Sequence, residues 1–290
     1  MEHEQMQDIL NKQKAYFIKN GPPSYDLRID RLDRMKSLVM ENRYKIVDAL
    51  NEDFGVRSKN QSMATDVYTI VPSIEHAKKN LKKWMSSSKR KPNFPLGLLG
   101  AKAEVSYEPL GTVGMISPWN FPMYLTFSPA ASIFAAGNQI MHKPSEYTEQ
   151  SAALMKELCD QAFDEEEFAT ILGGPDVGAT FTQQKFDHLL YTGSGAVAKH
   201  IMKAAAENLV PVTLELGGKS PVIVSNTADS VIAAKRIMLG KTMNAGQICL
   251  APDYIMVHSD KKDELVSGMK KAVADFYPDL KHNDDYTSIV

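Results

Sequence analysis

The chain has 290 residues, 43% hydrophobic and 23% charged, with a formal net charge of -2. That suffices for one large domain or two ordinary ones, and it leaves no electrostatic case for a nucleic-acid partner. No apolar run reaches the length of a membrane span, the opening MEHEQMQDIL is no secretory signal, and two cysteines without partners at ligand spacing make neither a disulfide framework nor a zinc site, so a cytoplasmic protein without membrane, metal or nucleic acid is expected.

Apolar residues recur at helical spacing from Arg28 to Leu50, and a second helical stretch runs from about Gln61 to Ser88, with a bend or restart expected at Pro72. KRKPNFPLGLLG (89–100) reads as a connector, and AEVSYEPLGTVGMISP (103–118) as strand interrupted at Pro109 and Gly111. Beyond residue 110 strands and helices alternate. GTVGMIS, NQIMHKP and HLLYTG each precede a helical run, as do PVTLELGG and SPVIVS together. This argues for an α/β fold with a largely parallel sheet. The charge runs KKNLKKW and SKRK (78–91) and DEEE (164–167) are read as solvated surface, the second as a helix start.

Five stretches can carry chemistry. SPWNFP (117–122) stiffens Asn120 between two prolines, beside Trp119 and Phe121. A rigid amide can donate to a developing oxyanion; the plainer reading is a buried turn capping the next helix. HKPSEY (142–147) offers Lys143 to a ribose hydroxyl or phosphate and Glu146 to a ribose diol, or is merely a charged strand exit. YTGSGAVAKHIM (191–202) sets Gly193 and Gly195 between strand and helix, where phosphate can meet free N–H groups; such turns are common, and the spacing is not the usual dinucleotide fingerprint. LELGGKSP (214–221) places Glu215 among leucines, either as a carboxylate with a buried partner or raised pKa, hence a general base, or as the solvent-facing residue of an alternating strand. MNAGQICLAPDYIMV (243–257) holds Cys249, an inert core thiol or a nucleophile.

As an ordered set, SPWNFP, KPSE, TGS, VTLELGGKSP and GQICLAPDY resemble the aldehyde dehydrogenase superfamily, with wording nearest the class 3 and coniferyl-aldehyde branches. The resemblance runs from about residue 30 to the C-terminus, and Glu215 and Cys249 stand 34 residues apart as that family requires. It implies a Rossmann-type parallel-sheet cofactor domain (1–88 and 110–217), a bridging segment (89–109) and the first part of an α/β catalytic domain (218–290). It also implies NAD(P)-dependent oxidation of an aldehyde to a carboxylic acid through a cysteine thiohemiacetal and thioester. Cys249 is then the nucleophile, its main-chain N–H and the Asn120 amide the oxyanion donors, and Glu215 the base for water. Lys143 and Glu146 would meet the adenosine ribose, with Trp119 packed nearby. Gly193, Ser194, Gly195, Ala196, Val197 and Ala198 would form the pyrophosphate turn and the helix after it, and Leu216 would complete the cofactor set. NAD is the expected cofactor, with NADP second. The substrate is a small aldehyde of aromatic or long-chain type, and a full-length form is expected to be a homo-oligomer.

The chain departs from the family at Gly195 and Ala198, where Thr and Gly are common, and Ala198 is expected to hinder backbone approach to the pyrophosphate. No E-x-F-G-P motif occurs. The expectation is a C-terminally truncated form, poorly active by itself, in which Ile255 and Val257 lack partners. The rivals are an inactive fragment that binds only nucleotide or a partner, and a cofactor-independent thiol hydrolase.

Overall fold

The computed structural model describes residues 3–290. Its first third is helical: α1 (His3–Asn20), α2 (Tyr25–Glu41), α3 (Arg43–Phe54), α4 (Lys59–Ser62) and α5 (Ile70–Trp84). The periodic stretch from Arg28 to Leu50 is two helices, because the Asn42 side chain donates back to the Leu38 carbonyl at 2.9 Å and ends the first. The irregularity expected at Pro72 lies earlier, in a single π-helical turn at Met63–Tyr68. Pro72 itself sits in the first turn of α5, where its missing N–H costs nothing.

The connector is a small antiparallel hairpin. β1 (Ser88–Arg90) pairs with β2 (Ala103–Val105), and the tip exposes Phe94, Leu96, Leu98 and Leu99. Five parallel strands follow: β3 (Thr112–Ile116), β4 (Gln139–Lys143), β5 (Phe168–Thr170), β6 (His188–Gly193) and β7 (Val212–Leu216), in the spatial order β5-β4-β3-β6-β7. They alternate with α6 (Tyr124–Ala135), α7 (Glu149–Ala162), α8 (Pro175–Thr182) and α9 (Gly195–Glu207). Helices cover both faces, as a parallel sheet requires. On one side Phe127, Phe134, Met155 and Leu81 pack over Val113, Met115 and Phe168. On the other Met6, Leu10, Phe181 and Ile201 pack over Met141, Leu189 and Tyr191. Each of the fully buried phenylalanines contributes roughly 1.5–3 kcal/mol.

The acidic run 164–167 is not a helix start. It is the turn into β5, and Glu167 is buried between Arg31 Nε at 2.9 Å and Arg34 Nη1 at 2.8 Å. Burial pushes its carboxyl up, but the two arginines outweigh it and hold it below the ordinary range.

A second unit follows the sheet. β8 (Ser220–Val224) pairs in parallel with β9 (Pro252–Val257), and α10 (Ser230–Thr242) and α11 (Lys262–Phe276) close over one face. Ile255 and Val257 are not without partners: they pack with Val222 against Ala234, Ile237 and Leu265. The alternate residues Ile223, Tyr254 and Met256 are the exposed ones, because the helices cover a single face. Among the described residues no helix is long and apolar enough to cross a membrane, and no cluster of residues is set to hold a metal ion.

Candidate active site

In this strand order the chain leaves β3 toward β4 and leaves β6 toward β7, in opposite directions. The crevice between the carboxyl ends of β3 and β6 is therefore the place where an open α/β sheet binds ligands. SPWNFP extends β3 there, and the Ser194 turn extends β6. Two clefts meet at this point. The first, of about 810 Å³, is lined by Trp119, Asn120, Glu215, Leu216, Gln247 and Cys249, among others. The second, of about 700 Å³, runs between α8 and α9 and is lined by Lys143, Glu146, Val197 and His200. Pro118, Trp119, Thr192, Gly193 and Ser194 belong to both walls.

Cys249 is an exposed free thiol, whereas Cys159 is buried in the core, and that burial pushes its thiol well above its ordinary value. Three consecutive left-handed residues lead into the Cys249 loop: Asn244 (φ 50°), Ala245 (φ 52°) and Gly246 (φ 78°). Such a turn costs about 1–2 kcal/mol at a non-glycine residue, and hydrogen bonds hold it. Asn244 Nδ2 donates to the Asn120 carbonyl at 3.0 Å, and Asn244 N donates to Gln61 Oε1 at 3.0 Å. Asn120 does not cap α6; its Nδ2 donates to the Gln247 carbonyl at 3.0 Å, two residues before the thiol. Gln247 is tied in turn by Nε2 to the Ser288 carbonyl at 3.0 Å.

Glu215 is exposed, contrary to a buried carboxylate, because β7 is an edge strand of the sheet and nothing packs over that residue. Its claim as a base rests on its place in the cleft with Cys249 rather than on burial. Leu216 lines the same cleft and not the second one.

In the second cleft Lys143 is buried at the end of β4, and its Nζ meets Glu146 Oε2 at 2.6 Å. Burial raises the Glu146 carboxyl, but the hydrogen bond and charge of Lys143 prevail and hold it below the ordinary range. Ser194 is the N-cap of α9, accepting from Val197 N at 3.3 Å through its hydroxyl and from Ala198 N at 3.0 Å through its carbonyl. Space around Gly195 is open, so the N–H groups of Gly195 and Ala196 are accessible, an arrangement that fits a phosphate. Gly193 is required: a Cβ there would lie 2.2 Å from the Tyr191 hydroxyl, whose ring is itself packed. Ala198 is buried on α9 in one cluster with Ile201 and Tyr191, and it does not itself line the second cleft. Lys143, Glu146, Trp119, Gly193, Ser194 and Val197 thus line one cleft, while Gly195, Ala196 and Ala198 are not part of its lining.

Beneath both loops lies a buried polar cluster. Thr126 Oγ1 donates to Ser117 Oγ at 2.8 Å, and Ser117 Oγ lies 2.8 Å from His142 Nε2. Burial, with the Lys143 charge adding to it, pushes His142 down to about 3. An unfolded histidine titrates near 6.5, so the unfolded chain takes up the proton first and stability falls as pH drops from there toward 3, by up to roughly 1.4 kcal/mol per pH unit. His142→Gln should remove that slope. Urea midpoints at pH 7 and pH 5 measure it, and an unchanged pH dependence in the variant would refute the assignment.

The sequence pattern of the aldehyde dehydrogenase family matches residues 2–288, beginning well before residue 30. The chain belongs to the aldehyde dehydrogenase family. Among its relatives in that family is a probable coniferyl aldehyde dehydrogenase of Caulobacter vibrioides, 51% identical over 98% of this chain and 59% of that protein. The 4,4'-diaponeurosporen-aldehyde dehydrogenase of Staphylococcus aureus is 39% identical over 96% of this chain and 60% of that protein. The structure of substrate-bound Staphylococcus aureus AldH superposes with a TM-score of 0.93 at 38% identity, covering 98% of this chain and 62% of that one. The chain thus spans about three-fifths of the length of these relatives, and the α/β architecture is that of an aldehyde dehydrogenase.

Proposed function

We propose that this chain supplies the dinucleotide cleft and the reactive thiol of an enzyme that oxidises an aldehyde to a carboxylic acid with NAD(P). The observation that carries the reading is one cleft holding an exposed thiol, a tethered amide and a free carboxylate, with a phosphate-ready cleft opening beside it at Trp119 and Ser194. In this reading residues 1–88 and 110–217 form the cofactor unit, 89–109 the bridge and 218–290 the beginning of the catalytic unit. Lys143 and Glu146 meet the adenosine ribose, and the start of α9 takes the pyrophosphate.

Cys249 attacks the aldehyde carbon as thiolate, and the oxygen that becomes negative is held by the Asn120 amide and the Cys249 N–H, a donor of this kind contributing about 3–4 kcal/mol. When bound, the nicotinamide supplies the acceptor for the hydride lost from that carbon, an oxidation that turns the adduct on Cys249 into a thioester. Glu215 takes a proton from water, the resulting hydroxide attacks the thioester carbonyl, and the acid leaves as the thiolate is restored. Asn120 turns from Gln247 toward the adduct with its second amide hydrogen still available to that carbonyl.

The coniferyl aldehyde dehydrogenases among the relatives favour an aromatic aldehyde, and the walls Trp119, Leu125, Ile133 and Ile248 suit a flat apolar ring. A carboxylate at Glu146 favours the free ribose diol of NAD over the 2′-phosphate of NADP. The Lys143–Glu146 pair at the foot of a separate cleft favours dinucleotide chemistry over a cofactor-free thiol hydrolase. Absorbance at the reduced-nicotinamide band, followed on the full chain with coniferyl aldehyde and a panel of aliphatic aldehydes, tests the reading. NAD reduction is expected to be fastest with the aromatic members, and Glu146→Thr is expected to move the kcat/KM ratio toward NADP by about tenfold, the size of one lost charge contact. A chain that binds dinucleotide yet reduces it with no aldehyde would defeat the proposal, and an NADP preference in the unaltered protein would defeat the role of Glu146.

A further inference from the structure

The turn that carries Asn120 rests on an ion pair outside both clefts. Arg57 Nη2 lies 2.8 Å from Asp66 Oδ2, and both side chains are sealed from solvent. Asp66 belongs to the π-helical turn Met63–Tyr68, a widened coil that recurs at functional sites. Its carboxylate accepts from Tyr124 N at 3.3 Å, and so caps the start of α6. Thr65 Oγ1 donates to it at 3.1 Å. The Arg57 guanidinium carbon lies 4.4 Å from the centre of the Phe54 ring and 5.2 Å from that of Phe121. Phe54 in turn packs 6.5 Å from Trp119, centre to centre. Phe121 is therefore held by Arg57 directly and Trp119 only through Phe54, and the pair does not touch Asn120 itself. A buried ion pair is a weak source of stability, since apolar residues of like volume serve as well. What this pair supplies is direction: it fixes where the loop after β3 ends and α6 begins.

We propose that Asp66, held by Arg57, is a positioning residue for aldehyde oxidation, fixing the Trp119–Phe121 turn so that the Asn120 amide meets the oxygen of the adduct on Cys249. The proposal rests on the oxyanion role given to Asn120 above. Its test uses the full chain in a Trp84→Phe background, where Trp119 is the remaining tryptophan. Asp66→Asn is expected to lower kcat by about 10- to 100-fold and to shift the Trp119 emission. Added to Asn120→Ala, it is expected to cost little more, because both act on the same contact. Should Asp66→Asn fail to fold, the pair Arg57→Met with Asp66→Asn leaves no unpaired buried charge, and the same pattern is expected of it. An unchanged kcat, an unchanged emission, or a full multiplicative loss on top of Asn120→Ala overturns the proposal. Full turnover by Asn120→Ala alone would instead overturn the oxyanion role. Trp119 emission then decides the placement by itself: a shift keeps Asp66 as the anchor of the turn, and an unchanged spectrum removes it.

Discussion

Cys249→Ala is expected to abolish aldehyde oxidation, with a loss on the order of 10⁴-fold or more, while dinucleotide binding stays nearly intact. The thiol is exposed, stands in the cleft with Asn120 and Glu215, and sits two residues after the carbonyl that Asn120 holds. No side chain of the second cleft depends on it, so removing one sulfur atom separates chemistry from binding. Cys159→Ala is the matched control. That thiol lies on the buried face of α7, protonated by burial and outside the lining of both clefts, so its loss should lower the melting temperature slightly and spare turnover. Steady-state rates beside calorimetric titration of NAD check the pair of variants. Substantial turnover in Cys249→Ala would remove the nucleophile from the scheme.

Glu215→Gln is expected to slow the second half of the reaction by about 10²- to 10⁴-fold, the usual weight of a general base. Glutamine keeps the shape and loses the proton acceptor. Attack by Cys249 and oxidation proceed, and the thioester then waits for water. Intact-protein mass spectrometry after mixing with NAD and an aldehyde should show the acyl group on Cys249, with a burst of reduced nicotinamide equal to the enzyme. An unchanged steady-state rate would count against Glu215 as the base.

The alternation of strands and helices past residue 110 was legible because each β-strand and helix there is a continuous run of one period, and motifs in that frame fell at the carboxyl ends of β3, β4 and β6. Shorter elements escaped. β5 is three residues long, and α8 begins at a proline, so neither leaves a periodic trace. Burial was the harder quantity. Glu215 among leucines reads either as a buried carboxylate or as the solvent-facing residue of an alternating strand, and only the edge position of β7 decides for the second; Glu167 in an acidic run reads as surface, but two arginines some 130 residues away enclose it. Both outcomes turn on neighbours remote in sequence. The supports of the site were invisible for the same reason. Gln61, Asp66 and His142 reach the loops only through the fold. Asn244 left a trace, since asparagine followed closely by glycine tolerates the left-handed turn that brings Cys249 to the cleft.

The central position of β3 also sets a timetable. Val113 pairs on one side with Ile140, soon after it in the chain, but on the other with His188, roughly 75 residues later. At ribosomal speeds of about 5–20 residues per second, the open edge of β3 waits roughly 4–15 seconds for β6 to emerge. Through that interval the half-sheet β3–β5 ends in the unpaired backbone edge of β3, which carries Val113 and Met115, both nearly fully buried in the finished sheet. The crevice where ligands later settle is thus the seam whose two strands wait longest for each other, and it is the seam along which a newborn chain is most open to pairing with a neighbour.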